Sequence, residues 1–191
     1  MRGLGSAIAV GVVIATAGAA AEKPGAQFTQ PLGLPLIETT VADVHRRLGP
    51  APASESGHYE ETVCYVDQRT RTYVAFMAQG EGLSGSFTAR WFGKRTPEGC
   101  SALPASALRQ LRRGVGGLLL GMRRAEFAAA VGTTTLLPDG FLQAKFEWSE
   151  SIDRAKHPLG VGDVLFTAIE VRGRFTGGRL VEFVIWKTAS T

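Results

Sequence analysis

The strongest constraint on the fold is an internal echo. Thr39-Thr40-Val41-Ala42-Asp43-Val44-His45-Arg46-Arg47-Leu48-Gly49 returns as Met122-Arg123-Arg124-Ala125-Glu126-Phe127-Ala128-Ala129-Ala130-Val131-Gly132, 83 residues later. At that same offset Leu36-Ile37 falls on Leu119-Leu120, Val63 on Phe146 and Tyr65 on Trp148. Similarity that keeps its register from one kind of segment into the next marks a duplicated supersecondary unit. The chain is therefore expected to fold as two like halves.

Each half opens with a short amphipathic helix. In the first, Val41, Val44 and Leu48 recur at helical spacing, Thr40 with Asp43 forms a capping box, and Gly49-Pro50 stops the helix. In the second, Leu120, Phe127 and Val131 line the face and Gly132 ends it. Helices this short do not stand alone in water, so each must lie on a sheet. Three strands are predicted after each helix: 59–66, 72–78 and 86–92 in the first half, and 140–149, 163–171 and 179–187 in the second. Leu142, Ala144, Phe146 and Trp148 alternate with Gln143, Lys145, Glu147 and Ser149, the pattern of a sheet with one buried and one wet face. Thr176-Gly177-Gly178 marks a hairpin, and 104–113, with Leu108 and Leu111, a helix connecting the halves. The expectation is an α+β chain of two tandem modules, 22–101 and 102–191, each a short helix on a three- to four-stranded antiparallel sheet.

Residues 1–21 are set apart. Arg2 precedes an almost wholly apolar or small run from Ala7 to Ala21, and Ala19-Ala20-Ala21 before Glu22 matches a small-x-small cleavage site. The run is short of the roughly 20 apolar residues that a membrane-spanning helix needs, so the expectation is export, periplasmic or secreted. No cysteine near the cleavage site offers a point for a lipid anchor. Without residues 1–21 there remain 20 Lys+Arg against 17 Asp+Glu, a net charge of +3. Arg46-Arg47, Arg112-Arg113 and Arg123-Arg124 are expected to be solvated helix faces, and nucleic acid is not an expected partner of an exported chain. In an oxidising compartment Cys64 and Cys100, the only cysteines, are expected to pair.

Signals for chemistry are sparse. Gly80-Glu81-Gly82-Leu83-Ser84-Gly85 has the letters of a dinucleotide fingerprint, but a strand rather than a helix is predicted to follow it. His45, His58 and His157 lack zinc-ligand spacing, and no serine sits in a Gly-x-Ser-x-Gly elbow. Cys64 could act as a nucleophile only with Cys100 unpaired. The loop Glu150–Gly162 has no counterpart in the first half and offers Ile152, Arg154, Lys156 and His157 as contacts. No cofactor and no metal is expected.

The Gly121-Met122 start, followed by Glu126, Phe127 and Gly132 and then an aromatic strand and a closing hairpin, resembles a known architecture. It is that of the β-lactamase inhibitor proteins and the outer-membrane-assembly lipoproteins of the same superfamily, in which a helix lies over an antiparallel sheet. The tandem arrangement over roughly 27–187 is more similar to the inhibitors. The resemblance implies that fold and a role in protein binding. The chain departs from it in having cysteines in the first half only and no lipidated cysteine, so neither β-lactamase inhibition nor barrel assembly carries over. The expected function is a non-catalytic exported module that presents polar sheet faces to a protein partner. Glu60, Thr62, Arg90, Lys145 and Glu147 are the candidate contacts, because alternation puts them on the wet side. The alternative is a small envelope hydrolase or lipid-handling protein, whose mark would be a deep pocket holding a perturbed acid or histidine.

Overall fold

The computed structural model describes residues 23–55, 60–79, 83–151 and 164–190. Three helices, α1 (Val41–Leu48), α2 (Ala105–Arg113) and α3 (Arg124–Val131), pack on one sheet. Its strands are β1 (Ala53–Glu55), β2 (Glu60–Asp67), β3 (Thr72–Gln79), β4 (Leu83–Trp91), β5 (Ser101–Ala102), β6 (Thr135–Leu136), β7 (Leu142–Ser151), β8 (Val164–Thr176) and β9 (Arg179–Ser190). The order is β1-β2-β3-β4-β9-β8-β7-β6, antiparallel throughout, and β5 runs parallel to β2 beyond the stretch that β1 covers. The chain is α+β with a mixed sheet. No described helix is long and apolar enough to cross a membrane.

The elements form for the local reasons that the sequence offers. The Thr40 hydroxyl accepts from the Asp43 amide at 3.2 Å, while the Asp43 carboxylate accepts from the Thr40 amide at 3.0 Å, closing the capping box of α1. At α3 the Glu126 carboxylate accepts from the Arg123 amide at 2.5 Å. Here the structure trims the expectation: Met122 and Leu120 lie in the turn before the helix, whose first residue is Arg124. Gly177 and Gly178, with φ of 57° and 75°, make the two-residue turn between β8 and β9. Such a hairpin needs positive φ at both centres, which glycine supplies without strain.

Alternate residues of every long strand face the helices. Val63, Phe76, Phe87, Ile185, Val171 and Ala144 stand opposite one another in turn, a buried row that crosses six strands. Val44 and Leu48 of α1, Leu108 and Leu111 of α2, and Phe127 and Val131 of α3 close the same core.

The sheet is larger than the three or four strands expected per half. The halves do not keep separate sheets, because the last long strand of the first pairs with the last strand of the second, Ser86–Arg90 against Glu182–Trp186. Neither strand has another partner on that side, so pairing satisfies two rows of backbone groups that would otherwise stand open. Cys64 and Cys100 are bonded, which fastens the chain entering β5 to β2. The glycine-rich run joins two hairpin strands: Gly80, Glu81 and Gly82 lie outside the described residues, and Leu83 to Gly85 begin β4.

Candidate functional site

The sheet face turned away from the helices carries the second set of alternate residues. One row runs Thr62, Met77, Ser86, Trp186, Glu170, Lys145, the next runs Ala75, Thr88, Val184, Arg172, Gln143, and the one beyond it runs Tyr73, Arg90, Glu182, Arg174. The charges on it are mostly paired. Arg174 Nε lies 3.3 Å from the Glu182 carboxylate, and Glu170 accepts from Gln143 and Arg172, both at 2.8 Å. Lys145 lies 2.7 Å from Glu147, and that hydrogen bond raises the Lys145 pKa. The Arg90 guanidinium sits 4.5 Å from the Tyr73 ring centre. Burial pushes the Tyr73 hydroxyl pKa up, against the lowering effect of Arg90.

Thr62, Arg90, Lys145 and Glu147 all fall on this face, and Glu60 opens β2 in the same alternation. They do not gather into one cluster. Lys145 and Glu147 belong to β7, whereas Thr62 lies five strands away, about 24 Å at the usual strand spacing. Between them lie half-buried Tyr73, Met77, Val184 and Trp186, which alternation alone did not single out because β9 is apolar on both faces. At the β7 side a cleft of about 460 Å³ opens among Glu147, Ser149, Phe166, Ala168, Thr188 and Ser190, with Phe166 57% exposed as its wall.

Other candidates are placed more simply. His45 is on α1, with a buried Nε2 that has no hydrogen-bond partner among the described residues. His58, His157, Ile152, Arg154 and Lys156 lie outside the described residues. Among the described residues no group of three His, Cys, Asp or Glu could hold a metal. The two carboxyls held below their ordinary pKa are structural. Asp43 is lowered first by the Thr40 hydroxyl, and Asp67 by the Thr70 hydroxyl within the turn from β2 to β3. Burial alone drives the Tyr65 hydroxyl up to about 12, and it donates to the Gly49 carbonyl at 2.7 Å.

The Asp67 turn gives a pH prediction. Its folded pKa lies below the ordinary 3.8, so its contribution to stability is complete above that value and is lost as pH falls through the folded value. Asp67→Asn should lower stability at pH 7 and flatten the decline below pH ~4. Urea unfolding across that range checks it. An unchanged acid limb would remove Asp67 from the explanation.

No family model, no curated protein and no solved structure matches this chain.

Proposed function

We propose that the chain is a non-catalytic exported binding protein that docks a protein partner on the helix-free sheet face. The observation that carries this reading is the strip of Tyr73, Met77, Arg90, Val184 and Trp186 across the middle of that face. Tyr, Trp, Met and Arg are the residue types enriched in protein interfaces, and they are rigid or adaptable enough to bury area at modest entropic cost. The cleft beside Phe166 gives a partner side chain a place to insert. A β-strand face also presents its side chains from a rigid support, which suits recognition without large rearrangement.

The same reading takes the chain as two tandem modules, joined edge to edge. In its support, α1 precedes β2-β3-β4 and α3 precedes β7-β8-β9, and the strand order β2-β3-β4-β9-β8-β7 reverses about the seam. Both helices pack on the same side. Duplication with a two-fold relation between the copies produces that order.

The test is capture of envelope or secreted proteins by the tagged chain beginning at Glu22, beside two variants. Trp186→Ala combined with Arg90→Glu should reduce recovery of the captured protein at least about 30-fold, the effect of losing ~2 kcal/mol at a hot spot. Arg46→Gln, on the helical side, should leave it unchanged. Recovery that ignores both variants overturns the assignment of this face.

A further inference from the structure

At the end of the sheet where β2 turns into β3 and where β4 finishes, a cleft of about 430 Å³ opens on the helical side. Leu108 and Leu111 of α2 form its floor, and Trp91, Leu119 and Leu120 its walls. Trp91 is 43% exposed and Leu119 37%, so two large apolar side chains stand in solvent side by side. The indole is backed by bare backbone: a Cβ at Gly121 would lie 3.1 Å from Trp91 Cη2. The Phe92 amide donates to the Arg71 carbonyl at 2.9 Å, which ties the end of β4 to the turn from β2 to β3.

Arg112 lines this apolar centre, and further cations lie on the segments that frame it. Arg69 and Arg71 lie on the turn, Lys94 and Arg95 follow Trp91 on the segment leaving β4, and Arg112 and Arg113 end α2. All six are exposed, and among the described residues none is in an ion pair with a carboxylate. The Asp67 carboxylate, at the head of the same turn, is within electrostatic reach of Arg69 and Arg112, so six cations here stand against that carboxylate, whereas most charges on the opposite sheet face are paired.

We infer that this end of the molecule seats on an anionic lipid surface, with Trp91 and Leu119 entering the headgroup layer and the six cations lying over lipid phosphates. The inference is separate from the sheet-face reading and uses different residues. The pairing of features is what such a seat requires: an indole favours the boundary between water and hydrocarbon, and basic side chains near anionic headgroups add attraction that acts within a Debye length. Either feature alone is weak, since one exposed tryptophan buries little area and charge alone is screened by salt.

The experiment is sedimentation of the chain beginning at Glu22 with vesicles of phosphatidylcholine, with or without roughly one-quarter phosphatidylglycerol. Binding is expected to the anionic vesicles and not to the neutral ones. Arg69→Gln and Arg112→Gln should each weaken it about five-fold, the equivalent of ~1 kcal/mol per charge. Brominated lipid should quench tryptophan fluorescence in the unaltered chain but not in Trp91→Phe, because Trp148 and Trp186 lie elsewhere on the sheet. Leu119→Gln, whose fold is checked by circular dichroism, should weaken binding without abolishing the salt dependence. Equal binding to both vesicle types overturns the proposal, as does quenching that survives Trp91→Phe. Binding that is indifferent to Trp91→Ala and is displaced by heparin overturns it in favour of a soluble polyanion.

Discussion

Phe127→Ala is expected to lower the free energy of unfolding by about 3–5 kcal/mol, the range for emptying an aromatic site in a closed core. Phe127 is fully buried on α3, and its ring meets Phe175 edge-on at 5.5 Å between centres. Beneath it lies Gly173 of β8, where a Cβ would come within 2.8 Å of Phe127 Cε2 and 2.9 Å of Leu180 Cδ1. Glycine there is required by the ring above it, since Gly173 has no positive φ to explain its presence. Gly173→Ala should therefore be destabilising on its own, by about 1–3 kcal/mol from overpacking. In the Phe127→Ala background most of that cost should vanish, because the added methyl fills space the ring has left. Denaturant unfolding of the two single variants and the double variant measures the coupling. Additive losses would mean that α3 does not sit on β8 in this register. Val44 holds the matching place on α1, and Val44→Ala should cost less, about 1–3 kcal/mol, for its smaller volume.

Loss of the Cys64–Cys100 bond is the second large effect. The bond closes a separation of 36 residues, which in the chain-entropy model stabilises the fold by about 3–4 kcal/mol. Its local role is as specific as its entropic one. β5 has only two residues paired with β2, Ser101 with Tyr65 and Ala102 with Val66. Two residue pairs cannot hold a strand against the entropy of the chain leading into it, so the sulfur link keeps β5 in place and α2 correctly launched from it. The expected result is a large drop in the denaturant midpoint for Cys64→Ala/Cys100→Ala, matched by the unaltered chain under reducing conditions. A difference below ~0.5 kcal/mol, or two reactive thiols in the unfolded, unreduced protein, would show that the bond is absent in solution.

What could be read from the sequence was what neighbouring residues decide among themselves. The Thr40–Asp43 box, the Gly177-Gly178 turn and the alternation of Leu142 to Ser149 are interactions of residues a few positions apart, and each long strand appears within a few residues of its expected place. β1, β5 and β6 are two or three residues long and owe their extended form to the strand beside them. The joining of β4 to β9 is likewise invisible to periodicity, because an edge strand has the same pattern whether or not a partner lies next to it. The candidate face followed this division. Its polar members, such as Lys145 and Glu147, were legible, whereas Trp186 and Val184 were hidden by a strand whose inward residues Phe183 and Ile185 are equally apolar.

The seam between β4 and β9 also sets an order of events during folding. Its partners are far apart along the chain, Ser86 with Trp186 and Arg90 with Glu182. A chain that emerges with its N-terminal half first can build β2, β3 and β4 from local hairpins, yet must then wait for the remaining strands. Throughout that interval the Ser86–Arg90 edge has nothing to bond to, and an open edge accepts strands from other molecules. Closing distant segments is also slow compared with forming hairpins. The hazardous intermediate is thus a half-sheet with one bare side, and arrival of β9 between β4 and β8 ends its exposure in a single step.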